Sequence, residues 1–344
     1  MALSLIDYPS RLKLAQVPTP LEFLPRATER WGRGKRLWIK RDDLTGSVLT
    51  GNKIRKLEFI AAHAVDHELS TLVTCGGVQS NHCRATALVA SRLGLGCHLV
   101  LRADQEEAAH TGNFLLDQIA GATFEILPAA RWGRELKSTY QRLEAEFKRD
   151  GRPALMIPTG GSDSLGVWGY IAASEELKAD LVDHGIERAA VALATGSAGT
   201  QTGLTVGVAL FDVPASVTGY AVCDDAEWFN RRVISDWQAS VDRWAQLSDI
   251  TIAPRTRDHS VGPGYGRADP SVYALITELT RLEGIVLDPV YTGKAFKGLV
   301  EDIAGGFYDD WDDIVFVHTG GVFGLFSHSE HFKEPARTRS EPVG

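Results

Sequence analysis

The sequence predicts an α/β protein made of two open, mostly parallel sheets flanked by helices. Three observations predict it. Short apolar runs alternate with stretches of helical periodicity along most of the chain, the pattern of repeated βαβ units. Four of those runs, ending at Cys75, Pro158, Ala194 and His318, break into glycine or small polar residues. In open α/β sheets such strand ends are where ligands bind. Finally, 344 residues suffice for two lobes. With no repeat or low-complexity tether between them, the lobes are expected to be interleaved in sequence.

Taken in order, residues 1–36 form a wrapping segment. Its Pro18-Thr19-Pro20 stretch is extended, because the residue before each proline is pushed out of the α region. A helical stretch is expected through Glu22-Phe23-Leu24. Leu37-Trp38-Ile39 is a strand that ends in charge at Lys40-Arg41-Asp42-Asp43, and a glycine-punctuated loop leads to Lys53. From Arg55 on, Leu57, Ile60, Ala61 and Ala64 repeat at helical spacing. Strands follow at 71–75, 97–101, 123–127 and 154–158, separated by helices opening at Ser80-Asn81-His82, at Asn113 and at Arg134. A helix over 166–183 precedes Ala189–Ala194, a continuous apolar run expected of a fully buried strand. Thr195-Gly196-Ser197-Ala198-Gly199-Thr200 then turns into a helix. A strand at 216–222 and a helix striped by Val233, Trp237, Val241 and Trp244 come next; that spacing marks a core or interface face. Helices at 270–283 and 295–303 and a strand at 314–318 complete the pattern.

Composition narrows the function. Hydrophobic residues make up 44% and charged residues 23%, as in soluble globular proteins. A formal net charge of -8 argues against nucleic-acid binding. No apolar run reaches membrane-spanning length, and Met1–Asp7 lacks the basic and apolar regions of a signal peptide. The four cysteines, Cys75, Cys83, Cys97 and Cys223, form no C-x-x-C pair, which suits a reducing cytoplasm. No metal is expected: His328 and His331 lack a third ligand.

Several stretches carry chemistry. Lys53 falls at a helix N-terminus, where the positive end of the dipole favours loss of its proton. A neutral amine is what a Schiff base requires. The Thr195–Thr200 turn combines glycines, hydroxyls and a helix start, which together suit a phosphate. It is not a Walker loop, and it follows a late strand, unlike a dinucleotide fingerprint. Gln79-Ser80-Asn81-His82 is either a helix cap or a polar wall. Gly262-Pro263-Gly264-Tyr265-Gly266 and Asp288-Pro289-Val290-Tyr291-Thr292 each present a tyrosine from a turn. Cys83, in the first turn of the Ser80 helix, could have its pKa lowered there.

Together, Lys40–Asp43, Gly51-Asn52-Lys53-x-Arg55-Lys56-Leu57-Glu58, Gln79-Ser80-Asn81-His82-x-Arg84, the Thr195–Thr200 turn, Tyr265, Leu287–Tyr291 and His318-x-Gly320-Gly321 resemble the pyridoxal-phosphate (PLP) enzymes of fold type II, the tryptophan synthase β-like fold. They are most similar to the branch holding D-cysteine desulfhydrase and 1-aminocyclopropane-1-carboxylate deaminase. The matches run in family order along almost the whole chain. The resemblance implies a homodimer and a large cofactor-binding domain, residues 1–52 plus 166–344, with a small domain at 53–165.

It implies Lys53 as the lysine that holds the cofactor, and Lys56 with Thr195, Gly196, Ser197, Gly199 and Thr200 as its phosphate contacts. Asn81 matches the partner of the phenolic oxygen, and Ser80 the serine beside the substrate. Asn81 and His82 share that substrate wall. Tyr265 and Tyr291 match active-site tyrosines. The deaminases carry Glu after the second tyrosine and Leu after the late histidine; here these are Thr292 and Thr319. A hydroxyl at the pyridine nitrogen makes a weaker electron sink than a carboxylate. The expected reaction is therefore β-elimination of D-cysteine, with cyclopropane-carboxylate deamination, or elimination from another β-substituted amino acid such as cysteate, as alternatives.

Overall fold

The computed structural model describes residues 6–103 and 110–332. Residues 1–5 of the N-terminal segment and residues 333–344 of the polar tail lie outside the described residues. In chain order the elements are β1 (Leu21–Phe23), α1 (Pro25–Trp31), β2 (Arg36–Lys40), α2 (Asn52–Asp66), β3 (Thr71–Gly77), α3 (Asn81–Leu93), β4 (Gly96–Ala103), α4 (Gly112–Ile119), β5 (Thr123–Pro128), α5 (Ala129–Arg149) and β6 (Ala154–Met156). They continue with α6 (Trp168–Asp183), β7 (Ala189–Thr195), α7 (Gly199–Leu210), β8 (Ala215–Ala221), α8 (Ala226–Val241), β9 (Arg255–Arg257), α9 (Pro270–Glu283), α10 (Thr292–Ala304), β10 (Asp313–Val317) and α11 (Val322–Leu325).

Two sheets result. The larger runs β1-β2-β10-β7-β8-β9 and is parallel except for β1; the smaller runs β5-β4-β3-β6 and is parallel throughout. Each has one place where the strand order reverses, between β7 and β10 and between β3 and β6. Ligands bind at the carboxyl ends of such switch points. The four glycine-broken strand ends of the sequence are the ends of these four strands.

The β7 strand shows how the large sheet is buried on both faces. Ala189, Val191 and Leu193 enter one apolar layer, with Trp168, Ile171 and Val206. Ala190, Ala192 and Ala194 enter the other, with Phe296, Leu299 and Phe316. The small sheet has its own layers, one of which takes Ile54, Leu57, Ile60 and Ala64 from α2. Gly169 lets α6 approach α2 at backbone distance: a Cβ there would stand 2.5 Å from the Arg55 carbonyl carbon.

One expected element is corrected. Glu22 and Phe23 are not helical; Leu21–Phe23 pairs antiparallel with Trp38–Lys40, and the helix starts only at Pro25, which occupies its first turn. Proline fits that position because its missing N–H would be unsatisfied there anyway. The α8 stripe is core-facing: Val233 is fully buried and Trp237, Val241 and Trp244 pack on the same cluster, although Trp244 lies beyond the helix end.

Candidate active site

A cavity of about 570 Å³ opens where the two sheets' switch points face each other. Its lining includes Gly76 and Gly77 at the end of β3, Thr159 and Gly160 after β6, Thr195–Ala198 at and after the end of β7, and Thr319 and Gly320 after β10. Of the residues singled out from sequence, Lys53, Ser80, Asn81, His82, Thr195, Gly196, Ser197, Thr200, Tyr265, Tyr291 and Thr319 all line it.

Lys53 sits in the first turn of α2. Its Nζ donates to the Gly160 carbonyl at 3.4 Å. Loss of hydration brings its pKa down to about 8. The cause is burial, not the helix end argued from sequence. What fixes the α2 start is a buried charge network. Arg55 bonds both oxygens of Asp42, at 2.9 and 2.8 Å, and the two oxygens of Glu176. Asp42 also accepts from Thr19 and Tyr170, while Lys40 pairs with Glu176 and Asp180. The charged Lys40–Asp43 motif therefore holds the helix that carries Lys53 and does not itself line the cavity.

The turn after β7 is built as an anion cup. Ala198 takes φ 68° ahead of α7, whose first N–H groups have no intrahelical partner. Ser162 Oγ accepts from Gly199 N at 3.2 Å and donates to Ser197 Oγ at 2.9 Å. Asn52 Nδ2 donates to Thr200 Oγ1 at 2.9 Å. The Thr195 hydroxyl is buried without a hydrogen-bond partner among the described residues. A buried hydroxyl left so beside a helix start fits a ligand oxygen.

Three of the expected contacts stand outside the cavity lining. Lys56 is fully buried behind the cup and not in its wall; its Nζ bonds Gly160 O at 3.2 Å and Ser162 Oγ at 3.1 Å. Burial, and then Lys53, push its pKa well down, a shift that an anion in the cup would reverse. Gly199 likewise begins α7 without lining the cavity. Thr292 is not brought to the cavity either. Its hydroxyl donates to Asp288 Oδ1 at 2.7 Å and accepts from Asp288 N at 2.9 Å. The same carboxylate takes the N–H groups of Val290, Tyr291 and Thr292, so it is Asp288 that shapes the turn presenting Tyr291.

On the small-sheet side Ser80 caps α3, accepting from Cys83 N at 3.2 Å. Asn81 Oδ1 accepts from Asn113 at 3.0 Å, and its NH₂ makes no hydrogen bond among the described residues. His82 bonds Thr74 through Nε2. Burial and the two lysines hold His82 neutral, with its pKa well below the usual value. Cys83 is fully buried and its thiol pushed well up by desolvation, against the lowering a helix start would give. The Tyr265 and Tyr291 hydroxyls lie 2.6 Å apart, and burial raises both pKa values, so both stay protonated. Lys294 fastens the Tyr265 loop, donating to Val222 O, Val261 O and Gly264 O.

Sequence reasoning missed Asn52, Arg102, Trp132, Cys223, Asp224, Trp228 and Arg232 in the lining. Of these only Asn52 stood inside a motif already quoted. Away from the cavity, His328 bonds the Tyr273 hydroxyl and His331 stacks on its ring. No group of three or more His, Cys, Asp or Glu that could hold a metal ion occurs among the described residues, and no helix among them is long and apolar enough to cross a membrane.

The arrangement can hold a phosphorylated aldehyde: an anion cup, a neutral-prone amine, and an amide and a hydroxyl on facing walls. Comparison with known proteins agrees. The family model described as pyridoxal-phosphate dependent enzyme matches residues 12–320. A D-cysteine desulfhydrase of Klebsiella pneumoniae is 39% identical over 329 residues, covering 93% of this chain and 97% of the relative. The mitochondrial bifunctional D-cysteine desulfhydrase/1-aminocyclopropane-1-carboxylate deaminase of Arabidopsis thaliana is 35% identical, covering 91% of this chain and 78% of its own. A solved homologue of 1-aminocyclopropane-1-carboxylate deaminase superposes with a TM-score of 0.85 at 33% identity, over 95% of this chain and 96% of the other. The chain therefore belongs to the pyridoxal-phosphate dependent enzymes of fold type II, in the family of the D-cysteine desulfhydrases and 1-aminocyclopropane-1-carboxylate deaminases.

Proposed function

We propose that the enzyme catalyses β-elimination of D-cysteine to pyruvate, ammonia and hydrogen sulfide. The observation that carries this is Thr319. The cavity residue after β10 offers a hydroxyl, and the only carboxylate in the lining among the described residues is Asp224. A ring nitrogen bonded to a hydroxyl accepts less charge than one facing a carboxylate, which favours loss of a good leaving group over opening of a carbon ring.

When bound, pyridoxal phosphate supplies the conjugated ring that takes up the electron pair freed at Cα. The cup, with Thr195, Ser197 and Thr200, would hold its phosphate, Asn81 the phenolic oxygen and Thr319 the pyridine nitrogen. Lys53 would hold its aldehyde carbon. Displaced by substrate, the Lys53 amine removes the Cα proton, a role its lowered pKa suits. The α3 start at Ser80 and Asn81 orients the substrate carboxylate, with neutral His82 behind it. The protonated Tyr265–Tyr291 pair donates to the leaving sulfur. In this reading residues 1–52 with 166–344 form the large domain and 53–165 the small one, and the enzyme works as a cytoplasmic homodimer.

The test is a spectrum of the purified yellow protein before and after D-cysteine, with sulfide and pyruvate assayed on the same sample. Both products are expected; 2-oxobutanoate from 1-aminocyclopropane-1-carboxylate, with nothing from D-cysteine, overturns the proposal in favour of deamination.

The cup makes a separate prediction. Gly160 has φ +71°, and a Cβ there would overlap Ser197 Oγ and stand 3.0 Å from Ser197 Cβ. Gly160→Ala is expected to raise the Kd for pyridoxal phosphate about fivefold or more, since backbone strain of this kind costs on the order of 1–3 kcal/mol. Titration of the cofactor-free protein measures it, and unchanged affinity would place the phosphate elsewhere.

A further inference from the structure

Arg84 of α3 and Asp117 of α4 are opposite charges, 1% and 0% exposed, that do not touch. Arg84 Nη2 donates to Thr50 O at 2.6 Å. Its Nε and Nη1, and both carboxylate oxygens of Asp117, have no hydrogen-bond partner among the described residues. Asn113 Oδ1, one turn before Asp117 on the same side of α4, is left likewise. Each charge feels the other, yet burial pushes the Asp117 carboxyl up to about 8 and the Arg84 guanidinium down to about 10. Buried polar groups in folded proteins are paired almost without exception. Two nitrogen donors and three oxygen acceptors between packed helices exclude an ion of either sign as their common partner. An anion would meet the oxygens, and a cation the guanidinium. Water both donates and accepts, and serves all five.

This polar seam supports the start of α3. Asn113 Nδ2 donates to Asn81 Oδ1 at 3.0 Å and to Gln79 O at 2.9 Å, while Gln79 Oε1 accepts from Asn113 N at 3.0 Å. Arg84 stands one turn on from Asn81. Its bond to Thr50 reaches the loop that leads into Lys53, and its guanidinium carbon lies 5.0 Å from the centre of the Phe323 ring of α11. One side chain thus ties the amide read as the partner of the phenolic oxygen to the segment bearing the amine read as the partner of the aldehyde. Neighbouring carbons of the cofactor ring carry those two groups, so their protein partners must keep a fixed spacing. We propose that Arg84 is a positioning residue, which with Asp117 holds internal water between α3 and α4 and so keeps the Asn81 amide on the phenolic oxygen. This rests on the placement of that oxygen at Asn81. A hydrogen bond to the ionised oxygen favours it over the neutral phenol, and the ionised form absorbs at longer wavelength.

The experiment records absorption of the cofactor-loaded protein without substrate, with melting curves alongside. It compares wild type, Asn81→Ala, Arg84→Lys, Arg84→Met and the double variant Arg84→Met/Asp117→Leu. Asn81→Ala should lower the ratio of long- to short-wavelength absorption about tenfold or more, the loss of a hydrogen bond to a charged group. If that ratio stays at the wild-type value, Asn81 does not serve the phenolic oxygen, and this inference falls with that placement. Given the drop, Arg84→Met should lower the ratio about threefold or more. Arg84→Lys should lower it less, since an ammonium keeps the charge but not the fork. The double variant orphans no charge, so it should melt near the wild-type temperature, while its ratio stays as low as in Arg84→Met. A ratio restored along with the stability would make the pair purely structural and overturn the inference, as would an unchanged ratio in Arg84→Met. A crystal structure of the loaded wild type should show water bonded to both Arg84 and Asp117; a direct ion pair between them overturns it too.

Discussion

Lys53→Ala is expected to give a folded, colourless protein whose elimination rate is at least about 10⁴-fold below wild type, the upper range for loss of a positioned general base. The side chain does two jobs at one atom. In the proposed reading it anchors the cofactor, and its amine moves the Cα proton. Truncation removes both, whereas the fold loses only a side chain that faces a cavity and makes one long hydrogen bond. Circular dichroism and a melting curve separate loss of chemistry from loss of structure. The cofactor-free wild type gives a second readout. With a pKa of about 8, the fraction of neutral amine rises with pH up to that value and then levels off. The rate of covalent cofactor loading should do the same, climbing about tenfold per unit below the pKa. A loading rate flat between pH 6 and about 8, well under the ordinary lysine value near 10.4, would show that Lys53 is not the attacking amine. Wild-type turnover by Lys53→Ala would remove the catalytic reading altogether.

What the sequence disclosed follows a physical rule. The residues legible in it are those whose type is dictated locally, at strand ends. Glycines there allow close backbone approach, and hydroxyls or amides cap helices and hold ligands. Gly76-Gly77, Thr159-Gly160, Thr195–Thr200 and Thr319-Gly320 all announced themselves in this way. Lys53 was found for its place at a helix start, though desolvation, which depends on the closed cavity, sets its pKa. Arg102, Trp132 and Arg232 were hidden because nothing beside them in the chain distinguishes them from solvated side chains. Only the pairing of β3 with β4, the stacking of Trp132 of α5 against Arg102 and the packing of α8 beside the cup bring them to the wall. Thr292 shows the opposite error: a residue next to a functional tyrosine was given a ligand role, when its hydroxyl is consumed by Asp288. Two of the three-residue strands failed for a related reason. Leu21–Phe23 and Arg255–Arg257 are edge strands too short for periodicity, fixed by a neighbour distant in sequence.

Asp42→Ala is expected to destabilise the protein by about 3–5 kcal/mol, the cost of removing one partner from a buried ion pair. Both Asp42 and Arg55 are 1% exposed, and the carboxylate satisfies Arg55, Thr19 and Tyr170 together. Without it the guanidinium keeps Glu176 but loses two of its bonds, and the first turn of α2 loses its tether. Cofactor affinity should fall in parallel, since Lys53 rides on that turn. The pH dependence has a definite sign. Burial, the largest single influence, would raise the carboxyls of Asp42 and Glu176, but Arg55 together with Lys40, and for Asp42 the Tyr170 hydroxyl, outweighs it and holds both below their ordinary values. Their contribution is present above about pH 4, the unfolded carboxylate range, and is lost as pH falls through the depressed folded values. Wild-type stability should therefore drop steeply on acidification, and Asp42→Ala should drop less. Urea unfolding at pH 7 and at about pH 2.5, below the unfolded carboxylate range, measures both. The double variant Asp42→Leu/Arg55→Met decides the origin of the effect. Removing both charges leaves Glu176 paired with Lys40 at 2.6 Å and buries no orphan charge, the Tyr170 hydroxyl alone losing its acceptor. It should be more stable than Asp42→Ala alone. If it is instead less stable by the sum of the single losses, the network acts through packing and not through its charges.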